Sequence, residues 1–145
     1  MHPRIPGSTD KPYDIHERLL IFACDIVRAV EFLQSHSPVG RALSYQLLSA
    51  GVSVGANAAE SDGASSPDDF IANNRIALKE AKETRFRLAV CRRCGLLDSR
   101  FDPLVKESDE LVRIMATIVF NALRRREQRR EQEPASKKGR PIADD

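Results

Sequence analysis

Two cysteines, Cys91 and Cys94, have the C-x-x-C spacing of redox pairs and of half a zinc site. A zinc site needs a second ligand pair, but His2, His16 and His36 are scattered near the amino end without paired spacing. A thioredoxin-like pair follows a strand, whereas this pair ends a predicted helix. We therefore predict no metal site and no cofactor, and we interpret Cys91 as a buried core residue; a redox or metal role is the alternative.

Polar side chains on the predicted second and third helices could serve catalysis or structure. The chain has no glycine-rich phosphate loop, serine triad or H-E-x-x-H motif, and its carboxylates lack an accompanying nucleophile or metal set. Buried polar groups need partners, so we predict a structural network that bonds across these two helices and fixes their register. We expect a protein that is not an enzyme. The predicted network comprises Ser53, Asn57, Glu60, Glu80, Glu83 and Thr84.

Basic residues recur along the predicted third helix. At about 100° per residue, four of them fall within roughly 60° of one another, with an aromatic residue in the same stripe. Such a row suits phosphate contacts with a stacking platform for bases, and the alternative is a solvated surface. Phe86 as a subunit contact is a further alternative. The candidate nucleic-acid-binding residues here are Arg75, Lys79, Lys82, Phe86 and Arg93.

A second basic cluster follows Phe120. Cations near a helix carboxyl end interact favourably with the helix dipole, which explains some of these arginines, but five exceed what capping requires. Repeated around a ring, they would form a basic rim with salt-dependent affinity for RNA or DNA. The cluster consists of Arg124, Arg125, Arg126, Arg129 and Arg130.

The composition favours one soluble helical domain. The chain has 145 residues, 41% hydrophobic and 30% charged, without tryptophan, and its formal net charge is +2. Residues 1–12 are turn-formers and polar groups rather than a secretion signal, and three cysteines cannot all pair within one chain. We expect a cytoplasmic protein with no membrane association.

Apolar residues at steps of three and four predict four helices. The first begins near Tyr13 or Asp14, and Ser37 and Pro38 begin the second. Ser66 and Pro67 begin the third, and Asp102 is predicted to cap the fourth. Short connections favour an all-α, antiparallel up-down-up-down four-helix bundle. We predict a disordered lead at 1–12, the bundle at 13–130 and a disordered basic tail at 131–145.

The second helix contains a run without charge, ALSYQLLSAGVSVGANAA at 42–59. It is too polar for a membrane span, and its small residues allow close helix approach, so we predict a helix buried over most of its surface at the centre of an assembly. Gly51 and Gly55 have the G-x-x-x-G spacing of tight packing. Together with the wide apolar stripes of the first and fourth helices, this run predicts self-association.

The segments YQLLSAGVSVGANAAES and DDFIANNRIALKEAKETRFRLAVCRRCGLL resemble the bacterial four-helix bundle proteins encoded within 23S rRNA intervening sequences. The family's S-x-x-A-N-x-A-E pattern is matched by Ser53, Ala56, Asn57, Ala59 and Glu60. Its I-A-x-x-E-A-x-E-T pattern is matched by Ile76, Ala77, Glu80, Ala81, Glu83 and Thr84. The resemblance covers about 13–123 and implies a homopentameric ring with a suspected nucleic-acid role. A related branch, the accessory variability proteins of diversity-generating retroelements, associates with a reverse transcriptase.

We therefore expect a non-enzymatic homopentameric scaffold that binds RNA or DNA through its basic surfaces. One alternative is a scaffold for structure or protein interaction whose charges serve solubility. The other is a retroelement accessory protein that partners a reverse transcriptase.

Overall fold

A computed structural model describes residues 14–134. Within that range the chain is helical and has no strand, as predicted. The predictions of disorder at 1–12 and 131–145 lie almost entirely outside the described residues; of the second range, Glu131 and Gln132 continue the last helix. The helices are α1 (Ile15–His36), α2 (Pro38–Asp62), α3 (Pro67–Arg93) and α4 (Asp102–Gln132), with a 3-10 turn at Ser99–Phe101.

Side-chain caps begin the first three helices where the sequence predicts them. Asp14 Oδ1 accepts a hydrogen bond from the His16 backbone N–H at 3.0 Å. Ser37 Oγ accepts from the Gly40 N–H at 3.1 Å, and Ser66 Oγ from the Asp69 N–H at 3.1 Å. Each cap satisfies a backbone donor that has no partner within its helix.

The predicted cap of the fourth helix is wrong. Asp98 Oδ1 instead accepts from the Arg100 N–H at 3.0 Å and so starts the 3-10 turn that leads into α4. Asp102 is already the first helical residue, and its carboxylate accepts a hydrogen bond from Arg92 Nε at 2.6 Å. Because the turn supplies the entry into α4, the carboxylate of Asp102 is available to link α4 to α3.

Small residues bring α1 and α2 into close contact. A β-carbon on Gly51 would lie 2.7 Å from Ile26 Cγ2, and one on Gly55 would lie 3.4 Å from Leu19 Cβ. Ile26 is fully buried and cannot readily move aside. The G-x-x-x-G spacing therefore marks a helix contact inside one chain.

The charge-free run of α2 is buried on one side only. α2 packs against both α1 and α3, and its buried residues include Leu47, Ala50 and Val54. In the single chain the two neighbouring helices leave a third side of α2 uncovered, so the predicted burial over most of the surface of α2, which requires an assembly, stays a prediction. The exposed residues of that side are Ala42, Tyr45, Ser49, Val52, Ala56 and Ala59.

α4 packs chiefly against α3 and contacts α1 at few positions. One contact is polar: Arg18 Nε donates to Glu107 Oε2 at 3.0 Å, and Arg18 Nη2 donates to Glu110 Oε2 at 2.7 Å. Another is aromatic, with the rings of Phe32 and Phe101 at 5.1 Å between centroids. Between them lies an apolar core. Its largest fully buried side chains include Leu19, Phe22, Ile26, Leu33, Leu47, Leu88, Leu111 and Met115.

Candidate nucleic-acid interface

The packing of α3 determines which of its residues face outward. Its buried residues recur at steps of three and four and face the rest of the bundle, so the opposite side of the helix is left to solvent. Asn74 and Thr84 lie on the buried side, but burying their polar groups costs little free energy, because each donates a hydrogen bond to a carbonyl of its own helix. Asn74 donates to Phe70 O at 2.9 Å and Thr84 donates to Glu80 O at 2.7 Å. The buried residues are Ile71, Asn74, Ala77, Ala81, Thr84, Leu88 and Cys91.

All five candidate residues of α3 are exposed on the opposite side. Phe86 is 69% exposed, the most exposed of the large hydrophobic side chains among the described residues. We call this set the α3 row. It comprises Arg75, Lys79, Lys82, Phe86 and Arg93.

The basic residues of α3 divide into two groups. Arg85 pairs with Asp109 of α4 at 3.2 Å, and Arg92 pairs with Asp102 of α4 at 2.6 Å. Arg87 pairs with Glu83 at 2.8 Å. By contrast, the four cations of the α3 row make no hydrogen bond or ion pair with any residue in 14–134. The unpaired positive charge of the helix is therefore collected on its outward side.

This division has an electrostatic consequence. An ion pair already neutralises much of the charge that an arginine could offer to an anion, and a second partner would have to compete with the resident carboxylate. Unpaired cations on one helix side keep their full charge and produce a positive potential along it. The four cations of the α3 row are accordingly the positive charges of α3 that no contact of the fold uses.

The arginines at the end of α4 are less uniform than the sequence suggests. Arg126 Nη1 donates to Asp68 at the start of α3 at 2.9 Å and so serves the fold. Arg124 lies over the ring of its neighbour Phe120, 5.9 Å from the centroid. Arg129 Nε donates to the Arg125 carbonyl at 3.4 Å.

Two of these arginines border a shallow, open groove where the end of α4 meets the loop between α2 and α3. Arg125 and Arg129 line one side, and Ser65, Ser66 and Phe70 line the other. Asp62 also lines the groove, so its charge is mixed. Arg124, Arg125, Arg129 and Arg130 are exposed and have no acidic partner among residues 14–134. This end of α4 is thus a second, less purely basic surface.

Three side chains of the predicted polar network form hydrogen bonds inside their own helices. Ser53 Oγ donates to Ser49 O at 2.6 Å and Asn57 Nδ2 donates to Ser53 O at 2.8 Å, both within α2. The hydrogen bond from Thr84 to Glu80 O lies within α3. None of these three bonds joins α2 to α3.

The polar link between α2 and α3 comes from a residue that the sequence did not single out. Arg87 Nη1 donates to Gln46 Oε1 of α2 at 2.6 Å, while Arg87 Nη2 donates to Glu83 Oε1 at 2.8 Å. Arg87 lies on the α2 side of α3, four residues after Glu83. The i, i+4 spacing of these two residues predicts their ion pair from the sequence. The partner Gln46 depends on the register between two helices, which no local pattern reveals.

The two cysteines of the C-x-x-C pair lie in different surroundings. Cys91 is buried and Cys94 is exposed, and neither is in a disulfide. Burial, and secondarily the nearby Cys94, raises the pKa of the Cys91 thiol, while Arg87 opposes this more weakly. A raised pKa disfavours the thiolate that redox and metal chemistry require. Within residues 14–134 no group of three or more His, Cys, Asp or Glu side chains is placed to hold a metal ion.

None of the described helices is long and apolar enough to span a membrane.

This chain is similar to a solved structure and to one family model. A crystal structure of a protein of unknown function from the S23 ribosomal protein family of Bacteroides thetaiotaomicron VPI-5482 is 32% identical to this chain. The match covers 73% of this chain and 98% of that one, with a TM-score of 0.67. No curated protein is significantly similar. The family model for the 23S rRNA-intervening sequence protein matches residues 12–117, and the chain therefore belongs to that family.

Proposed function

We propose that this protein is a non-enzymatic cytoplasmic scaffold that binds RNA or DNA through the α3 row, with the arginines at the end of α4 as a second contact. The observation that carries the proposal is the division of the cations of α3 into paired and unpaired groups. Phosphate backbones bind such unpaired cations and release counterions as they do so.

We also propose that the four helices form an antiparallel up-down-up-down bundle. Three ion pairs between α3 and α4 support this arrangement. As the numbers rise along α3 through Asp68, Arg85 and Arg92, their partners on α4 fall through Arg126, Asp109 and Asp102. Opposite numbering is what antiparallel neighbours require.

Self-association into a ring, a homopentamer as the family resemblance implies, completes the proposal. The outward side of α2 supports it, because Tyr45 is 61% exposed and Val52 is also exposed, and both lie in the run 42–59, which has no charged residue. On α1, Leu20 and Val27 are likewise exposed. Exposed apolar patches of this kind on a soluble protein mark contact surfaces.

Binding is tested by titrating structured RNA and duplex DNA at increasing salt. Wild-type affinity should fall steeply with salt, because each phosphate contact releases a counterion. Lys79→Gln should weaken binding to both nucleic acids and reduce the salt slope by about one. The matched control is Lys106→Gln, which removes an exposed lysine from α4.

Equal effects of the two lysine substitutions, or binding that ignores salt, would contradict the role of the α3 row. A wild-type protein that binds neither nucleic acid at low salt favours the alternative function, a scaffold for protein interaction. The exposed apolar side of α2 supports that alternative, and a reverse transcriptase is the candidate partner that the family resemblance suggests.

A further inference from the structure

We infer that the α3 row binds single-stranded nucleic acid, with the ring of Phe86 stacking on an unpaired base while the flanking cations hold the backbone. This inference rests on the proposed function and specifies the form of its ligand.

Phe86 lies in line with the unpaired cations. Lys82 precedes it by one helical turn and Lys79 by two, while Arg93 follows it by two turns. At 1.5 Å per residue the row extends about 27 Å from Arg75 to Arg93. The ring is 69% exposed and has no aromatic or cation–π contact with any residue in 14–134. Its surroundings along the helix are thus cationic, and its ring is unoccupied by the fold.

A phenyl ring in this position distinguishes single strands from duplexes. In a duplex the base faces are already stacked on one another, and the ring has no polar atom with which to read base edges or bond phosphates. In a single strand each base offers a free face, and stacking on an aromatic side chain contributes about 1–3 kcal/mol per base. The cations bind the phosphates of single strands and duplexes alike, but the ring adds affinity only for single strands.

The surroundings of Phe86 argue against a buried protein contact. The cores of protein interfaces are depleted of lysine because burying an unpaired ammonium group is costly. Phe86 is preceded by two unpaired lysines, Lys79 and Lys82, whereas the outward side of α2 from Tyr45 to Ala59 carries no charged residue. The two surfaces therefore suit different partners, nucleic acid for α3 and apolar protein for α2.

The experiment uses the absence of tryptophan from the chain. Phe86→Trp keeps an aromatic ring at an exposed site and introduces a single tryptophan, whose emission reports stacking directly. Tyr45→Trp is the matched control, because Tyr45 is similarly exposed but lies on α2 and outside the α3 row. Each full-length variant is titrated at low salt with oligouridylate, with oligothymidylate and with a duplex of equal length.

We expect single strands to quench the tryptophan emission of the Phe86→Trp variant and the duplex to change it little. The emission of the Tyr45→Trp variant should respond to none of these ligands. In parallel, Phe86→Ala should weaken single-strand binding about 5- to 150-fold and leave duplex binding nearly unchanged, while Phe86→Trp retains affinity. Quenching by either oligonucleotide supports the inference, and the stronger of the two identifies the ligand as RNA or DNA.

Single-strand binding by the Phe86→Trp variant without quenching of its emission would overturn the stacking but leave the proposed function in place. Absence of salt-sensitive binding to every nucleic acid would overturn both. If the emission of the Phe86→Trp variant instead changes with protein concentration alone, Phe86 is a subunit contact and the inference is wrong.

Discussion

Gly51 of α2 lies so close to Ile26 of α1 that a β-carbon at Gly51 would stand 2.7 Å from Ile26 Cγ2 and 2.8 Å from Cγ1. Ile26 is completely buried, so neither atom can move without disturbing the core. The closest approach of α1 and α2 therefore depends on a missing side chain.

Gly51→Ala should destabilise the protein. Overpacking a core costs about 1–3 kcal/mol, and the gain in helix propensity from glycine to alanine offsets only about 1 kcal/mol. We expect a net loss of about 1 kcal/mol in the free energy of unfolding, measured by urea denaturation.

Gly55→Ala is the matched control on the same helix. Its β-carbon would lie at an ordinary contact distance of 3.4 Å from Leu19 Cβ, so the gain of up to about 1 kcal/mol in helix propensity should dominate. A more stable Gly51→Ala variant than Gly55→Ala variant would contradict the packing of α1 against α2.

Glu107→Gln should weaken the link between α1 and α4. Glu107 is only 7% exposed and accepts hydrogen bonds from Arg18. The side chain of Arg18 is itself partly buried. Removing the carboxylate charge leaves a partly buried cation under-compensated, and we expect a loss of about 1–3 kcal/mol in urea denaturation.

Glu110→Gln provides the comparison for Glu107. Glu110 accepts from the same arginine, but its side chain is much more exposed, so its loss should cost less than about 1 kcal/mol. If the two variants lose the same stability, burial does not govern the strength of this contact.

Alkylation of the native protein should modify Cys24 and Cys94 and spare Cys91. The first two thiols are exposed, whereas Cys91 is buried and its pKa is raised by that burial. Mass spectrometry after brief treatment with iodoacetamide should show two adducts, and a third only after denaturation. Rapid labelling of Cys91 in the native protein would contradict its place in the core.

The raised pKa of the Cys91 thiol predicts that the folded state loses stability at high pH. Below the ordinary thiol pKa of about 8.5, Cys91 is protonated in both states, so the folded state keeps its full advantage. As the pH rises above the ordinary pKa, the thiol ionises in the unfolded state while it stays protonated in the folded state. The free energy of unfolding therefore falls until the pH has passed the raised pKa of the folded state. Cys91→Ala should show a smaller decline in unfolding free energy between about pH 8 and about pH 10. Parallel declines would show that Cys91 does not contribute.

The helix starts and the outward side of α3 could be predicted because both depend on local spacing. Ser37 and Ser66 cap the helices that follow them, and Lys79 and Lys82 are exposed as their angular positions require. These features need only neighbouring residues within one helix.

Features that depend on a second element could not be read in the same way. Nothing local to Asp102 indicates that a 3-10 turn capped by Asp98 replaces its capping role, or that Arg92 is its partner. The charge-free run of α2 indicated burial, but composition alone does not say whether a helix of the same chain or a second subunit covers a given side. In the single chain Val52 is exposed, and what covers it becomes a question about assembly.

Val52→Lys tests that question. If subunits associate through the outward side of α2, a lysine there must be buried without a partner, and the assembly should dissociate toward the 16.2 kDa monomer. A homopentamer has five times that mass, so sedimentation velocity separates the two states. Thr117→Lys adds the same charge at an exposed position of α4 and should leave the mass unchanged. A wild-type chain that is monomeric at all concentrations, or equal dissociation by both lysines, would show that the side of α2 is not the contact.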